Sequence, residues 1–266
     1  MRVYILADME GISGVVRREQ VSGSGPEYEE ARLLLTRDIN AAIEGALNGG
    51  ATEVIVNDLH GARGGCNLVP EELHPEARYI WGHAKYRHPP LEDRFDCAFL
   101  IGYHAMAGSE KGVLSHTMSS KSIYSVKVNG VEIGEIAIDA AILGSFNVPV
   151  TLVTGCTEAV KEAKRFLGDE IEVVAVKEAL GRFDAICLAP AKSRQLIKEA
   201  AERAVKKARS IKPFRFKAPV EVVIEFFHSN FADSISRLPE VKRIGPRSVK
   251  IVADDFLSAA RLLGWY

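Results

Sequence analysis

The chain is short of the residues that would set it apart from an ordinary protein of a reducing, aqueous compartment. Its four cysteines, Cys66, Cys97, Cys156 and Cys187, are scattered and form no C-x-x-C pair. That pattern supports neither a disulfide framework nor a cysteine-rich zinc site. No apolar run approaches the ~18 residues that a membrane span needs. An excess of one charge is missing too: 34 basic against 35 acidic side chains leave a net charge of -1. Bulk electrostatics therefore give no reason to expect nucleic acid or an anionic membrane as partner. Glutamine occurs only at Gln20 and Gln195, and no internal repeat or low-complexity stretch is present. Met1 to Ala7 is basic and apolar, but Asp8 and Glu10 cut it short of a signal-peptide core. The expectation is a cytoplasmic protein with free thiols.

What the sequence does have is 266 residues, 47% of them hydrophobic and 26% charged, enough for one large domain or two unequal ones. Short apolar runs alternate with helical spacing. Val3 to Ala7 reads as a strand. Pro26 opens a helix carrying Tyr28, Ala31, Leu35, Ile39 and Ala42, and Gly49-Gly50 stops it. Val54 to Val56, Tyr79 to Trp81 and Phe95 to Gly102 read as further strands, with a short helix over Leu68 to His74. Ser122 to Ile133 reads as a hairpin, because Asn129-Gly130 is the pair that most favours a type I′ turn. A helix over Glu135 to Leu143, a strand over Val148 to Val153, a helix over Glu158 to Leu167 and a strand over Ile171 to Val176 follow. A long helix spans Ala191 to Ser210, then a strand over Val220 to Phe227, a hairpin over Val241 to Val252 and a helix over Asp254 to Leu263. The implied fold is α/β: residues 1–190 form a largely parallel sheet flanked by helices, and residues 191–266 a smaller C-terminal α+β unit packed on it.

The chemistry gathers where the first strands end. Strand one runs into Asp8-Met9-Glu10, and residues i and i+2 share a face of an extended chain. Strand two runs into Asn57-Asp58-Leu59-His60, and the strand before Gly102 into Tyr103-His104. Ligands of open α/β sheets bind beyond the carboxyl ends of strands, so Asp8, Glu10, His60 and His104, with Asp58 near them, share one rim. Each alone would be unremarkable, since an Asp-x-Glu is mostly solvated and a histidine after a strand is usually a hydrogen-bonded loop residue. Together they form a mixed oxygen and nitrogen donor set without thiolate, suited to zinc, manganese or another first-row divalent ion. Glu135, at the start of a helix, either favours the helix dipole or supplies a fifth ligand, enough for two metals sharing Asp8. His116 can reach the rim unliganded, as base, nucleophile or electrophile. Ser115 beside it lacks the G-x-S-x-G elbow of a hydrolase nucleophile and reads as structural. Arg63, in a glycine loop without the Lys-Ser/Thr of a phosphate-binding loop, is a weak candidate for a substrate carboxylate or phosphate. His74, His83, His88 and His228 read as surface or packing residues.

Taken as a set, Asp8-Met9-Glu10-Gly11-Ile12-Ser13-Gly14, Val56-Asn57-Asp58-Leu59-His60, Gly102-Tyr103-His104-Ala105, Ser115-His116 and Gly134-Glu135 resemble the M55 metallopeptidases, the D-aminopeptidase family. The resemblance covers the first 160 or so residues by motif and the remainder by layout. It implies a two-zinc aminopeptidase, with manganese or cobalt as alternative metals, acting on short peptides with an N-terminal D-residue such as D-Ala. By the family pattern Asp8, Glu10, His60, His104 and Glu135 match the metal ligands, with Asp8 bridging, and His116 matches the catalytic histidine. It further implies a homo-oligomer, a ring-like decamer. Two other readings of the residues are a bimetal hydrolase of another amide, an ester or a phosphoester, and a non-catalytic metal- or peptide-binding protein linked to peptide uptake.

Overall fold

The computed structural model describes residues 1–82, 88 and 95–266; His83 lies outside the described residues. Two sheets carry the fold. The larger has seven strands: β1 (Arg2–Ala7), β2 (Glu53–Asp58), β3 (Ala77–Ile80), β4 (Cys97–Tyr103), β7 (Val150–Cys156), β8 (Glu172–Ala179) and β9 (Ala185–Cys187). Their order is β3-β2-β1-β4-β7-β8-β9, and all pairings are parallel except that of β8 with β9. The expected α/β fold with a largely parallel sheet is what the chain adopts. The smaller sheet is antiparallel, with order β11-β12-β10-β5-β6, from β5 (Ile123–Val128), β6 (Val131–Glu132), β10 (Val220–Phe226), β11 (Val241–Arg243) and β12 (Ser248–Ala253).

A strand buried on both faces needs apolar residues at every position rather than at alternate ones, and β1 shows why its run is continuous. Val3, Ile5 and Ala7 pack with α1 (Pro26–Asn48) and α4 (Pro190–Lys206) on one face. Tyr4 and Leu6 pack on the other, in the core that also holds α2 (Glu135–Ser145) and the small sheet. Every residue of α2 from Glu135 to Gly144 is buried. Two further helices, α3 (Thr157–Leu167) and α6 (Phe256–Leu262), add to that second core, with Ala159 and Ala163 from one and Ala259 and Ala260 from the other. The short α5 (Ser229–Ile235) covers the end of β10.

The Asn129-Gly130 turn forms as expected, both residues at positive φ (50° and 80°). Its tip is clamped to the start of β10, where Asn129 Oδ1 accepts the Glu221 N–H at 2.8 Å. The layers do not divide at residue 190. The small sheet pairs β5 with β10, so it joins residues from both sides of that position, and α4 packs against α1 in the outer layer of the large sheet. The segment expected as a helix over Leu68 to His74 makes only a 3-10 turn at Pro70–Glu72. No helix among the described residues is long and apolar enough to cross a membrane.

The ends of β1 and β4 come unusually close. The Gly11 N–H donates to the Gly102 carbonyl at 2.7 Å, and a Cβ on Gly102 would lie 2.1 Å from the Asp8 carbonyl oxygen. Gly102 also sits at φ +77°, which L-residues adopt with strain. Gly102→Ala is expected to cost about 3 kcal/mol, at the upper end for overpacking. Urea unfolding of the variant checks this, and an unchanged midpoint would mean that the two ends can separate freely.

Candidate active site

The chain winds outward from β1 through β2 to β3, then returns and winds the other way from β4 through β7 to β8. β1 and β4 are therefore neighbours whose connections diverge, leaving a crevice beyond their carboxyl ends. Asp8 and Glu10 follow β1, His60 follows β2, His104 follows β4, and Glu135 opens α2. His116 enters from the loop between β4 and β5. Asp8, Glu10, His104 and Glu135 are buried, at 7%, 5%, 2% and 5% exposure. His104 Nε2 lies 3.5 Å from Asp8 Oδ2 and 3.3 Å from Glu135 Oε1. His60 Nε2 lies 3.3 Å from Glu10 Oε1, and His116 Nε2 3.6 Å from Glu135 Oε1. The rings of His104 and His116 stack at 4.0 Å. All six residues singled out from the sequence thus meet at one place. Five of them (all but the deeper His104) line one cleft of about 570 Å³, with Arg18 and Lys121 on its walls.

The electrostatics are those of a place built for cations. Burial, with Glu10 beside it, pushes the Asp8 carboxyl well above its ordinary range. Burial acts on Glu10 in the same sense, but the His60 imidazole outweighs it and holds Glu10 well below the usual carboxylate range. Burial would lower His104, yet Glu135 and Asp8 carry it well above its ordinary value. His116 differs: burial and the adjacent His104 hold it below the ordinary histidine value. Asp8 Oδ2 and Glu10 Oε2 are buried with no hydrogen-bond partner among the described residues, a costly condition unless something positive binds them. Donor atoms of Asp8, Glu10 and His104 lie within 4.8 Å of one another, and so do those of His104, His116 and Glu135. Hard oxygen and imidazole donors in that number fit a divalent metal. His104 Nδ1 faces the Ala105 carbonyl at 3.0 Å, the arrangement that fixes a ligating imidazole with Nε2 free.

Some supporting residues were not evident from the sequence. Lys177, wholly buried on β8, donates from Nζ to the carbonyls of Glu10, Ile12 and Val15 at 2.5, 2.9 and 2.5 Å. It straps down the segment that carries both acids. Burial lowers its pKa to about 8. A lysine inside the apolar run Val173 to Ala179 was the available signal. Glu162 of α3 accepts the Met106 N–H at 2.8 Å and is so buried that its pKa rises to about 7. Asp58 does not face the crevice donors; it accepts the N–H groups of Asn67 and Leu68 at 2.5 and 2.9 Å and so shapes the loop after His60. Arg63 pairs with Glu29 at 3.1 Å and does not line the cleft. Ser115 Oγ accepts from Arg182 at 3.1 Å. His74 Nδ1 accepts a local N–H from Glu76, His88 is buried against Asp139 at 3.1 Å, and His228 precedes α5 without a side-chain bond to it. None of these three joins the cluster.

A buried group of carboxylates and imidazoles at the switch point of a doubly wound sheet defines a metallohydrolase-type centre. The family model of Peptidase_M55, described as D-aminopeptidase, matches residues 1–264, and the chain belongs to that family of peptide-cleaving hydrolases. A D-aminopeptidase of Bacillus subtilis (strain 168) is 36% identical over 265 residues, covering 97% of this chain and 94% of the relative. The solved structure described as the Zn-dependent D-aminopeptidase DppA from Bacillus subtilis, a self-compartmentalizing protease, superposes with a TM-score of 0.92 at 34% identity. It covers 99% of this chain and 95% of that one.

The His60–Glu10 pair makes the stability of chelator-treated protein depend on pH. Burial pushes His60 down, but Glu10 carries it up to about 9 from an ordinary 6.5. The folded state therefore holds this proton more tightly than the unfolded chain does. The stabilisation is complete below pH 6.5 and is lost as pH rises through 9. Urea midpoints of chelator-treated protein should fall across that window, and His60→Ala should flatten the slope.

Proposed function

We propose that this chain is a zinc-dependent aminopeptidase that removes an N-terminal D-residue, such as D-Ala, from short peptides. In this reading Asp8, Glu10, His60, His104 and Glu135 would hold two zinc ions, and His116 is the catalytic histidine. The observation that carries it is the pair of buried carboxylate oxygens, Asp8 Oδ2 and Glu10 Oε2, that accept no hydrogen bond among the described residues, with His104 Nε2 3.5 Å from Asp8 Oδ2 and His60 Nε2 3.3 Å from the other Glu10 oxygen, Oε1. The preference for a D-residue is supported by the family and its relatives.

Zinc held by these side chains would lower the pKa of water and polarise the scissile carbonyl. The protein's own groups do the rest. Glu10 lines the cleft, and a carboxylate oxygen not spent on zinc can accept the free N-terminal ammonium, which restricts cleavage to the first residue. His116 donates from Nδ1 to the Leu114 carbonyl at 2.9 Å, so Nε2 carries the lone pair. That nitrogen takes the proton given up as water attacks the carbonyl and returns it to the leaving nitrogen. A neutral histidine beside the acid cluster favours a catalyst over a passive carrier. Arg18 and Lys121 give the cleft a positive wall, which suits the far carboxylate of a short peptide. The assembly we propose is a ring-like decamer working in the cytoplasm, in keeping with a relative described as self-compartmentalizing.

Metal analysis with peptide assays tests the reading. The protein should carry zinc, lose activity to a chelator, regain it with zinc, and cleave D-Ala-D-Ala far faster than L-Ala-L-Ala. His116→Ala should keep its zinc and lose about 100-fold or more in kcat. Equal cleavage of both isomers, or full activity after chelation, would overturn the proposal. Light scattering should give ten copies of the 29.1 kDa chain.

A further inference from the structure

His116 stands in a loop whose backbone is held by a residue far along the sequence. Leu114 adopts φ +50° and Met118 φ +62°, the left-handed region that non-glycine residues occupy only under outside constraint. Leu114 is the residue whose carbonyl faces His116 Nδ1, so its conformation sets the ring's direction. The Met118 N–H is held by Glu135 Oε1 at 2.8 Å; the constraint on Leu114 comes from Arg182. The Arg182 carbonyl accepts the Leu114 N–H at 2.9 Å, and one guanidinium nitrogen donates to the Ser115 carbonyl at 2.5 Å and to Ser115 Oγ at 3.1 Å. Main chain and side chain of one residue thus grip two consecutive residues just before His116.

The backbone at Arg182 is itself firmly placed. It lies in the turn between β8 and β9, closed by the Leu180 and Gly181 N–H groups on the Asp184 carbonyl at 2.9 and 3.2 Å. It forms no ion pair among the described residues, and its guanidinium lies 5.7 Å from the Phe183 ring. Of its donors, one terminal nitrogen is committed to Ser115, and the residue is otherwise exposed. A carbonyl paired with a full positive charge is held more strongly than one paired with an amide. The hydroxyl of Ser115 is committed to the same contact, in keeping with a structural serine.

Resting on the proposed role of His116, we infer that Arg182 is a positioning residue for catalysis: through Leu114 and Ser115 it fixes the direction of the His116 imidazole without touching substrate. A misplacement of about 1 Å in a proton-transferring group can cost about 100-fold in rate, so the effect belongs in kcat.

The test uses the zinc-loaded full chain and D-Ala-D-Ala. Arg182→Ala should keep its zinc and its melting temperature, lose about 100-fold in kcat and keep KM within about twofold. Millimolar guanidinium ion should restore about tenfold of that loss in Arg182→Ala and do nothing for the wild type or His116→Ala. Arg182→Lys, which keeps the charge but not the planar donor, should remain folded and fall about tenfold in kcat. In the His116→Ala background Arg182→Ala should cost nothing further, because both changes remove one function. A kcat within about twofold of wild type in Arg182→Ala, a loss carried by KM, or additivity in the double variant would overturn the inference while leaving His116 in place. Full turnover by His116→Ala would instead overturn the role of His116 and this inference with it.

Discussion

The centre exists because two strand ends touch. The Gly11 N–H meets the Gly102 carbonyl at 2.7 Å, and neither glycine has room for a side chain there: a Cβ on Gly11 would fall 1.9 Å from the Tyr103 carbonyl oxygen. That contact sets the carboxylate of Asp8 and the imidazole of His104 within 3.5 Å of each other. The register of β4 against β7 shifts between Leu100 and Tyr103, and the Gly102 N–H leaves the ladder for the Thr154 hydroxyl at 2.9 Å. The irregularity turns the last residues of β4 toward β1. From there Glu135 and His116 need only be brought over from the second core and the loop above it.

Crowding acids in a buried crevice is unfavourable unless the surroundings compensate. Here the compensation is divided. Lys177 neutralises nothing directly, because its ammonium faces three carbonyls rather than a carboxylate; what it does is fix the backbone of the acidic turn from below. His60 pairs with Glu10, and His104 stands between Asp8 and Glu135. The remainder is left as two carboxylate oxygens that accept no hydrogen bond among the described residues. Imidazoles with opposite shifts side by side, His104 up and His116 down, separate a group that stays with the acids from one that is free to exchange protons.

Legibility in the sequence followed the range of the interactions. Asp8, Glu10, His60 and His104 could be found because each follows an apolar run, and the ends of parallel strands collect at one edge whatever their distance in sequence. The Asn129-Gly130 turn was readable because its conformation is local to those two residues. The partnership of β5 with β10 was not, since Val222 and Val128 carry no mark of each other beyond shared apolarity. Asp58 was placed near the rim by position alone. Its side chain is drawn instead to the Asn67 and Leu68 N–H groups, a choice made by a loop whose path no spacing rule predicts. Lys177 and Arg182 act through single residues on backbone more than 60 positions away, and a lone cation in a sequence does not name its carbonyl.

The position of α2 bears on how the molecule comes apart. A helix buried from Glu135 to Gly144 has no wet face on which to survive alone, and the core it fills is shared by Tyr4 and Leu6 of the large sheet and Val222 and Val249 of the small one. Removing either sheet would strip the helix bare. The two sheets thus share one core through this helix, and loosening the C-terminal strands would expose the apolar residues of α2.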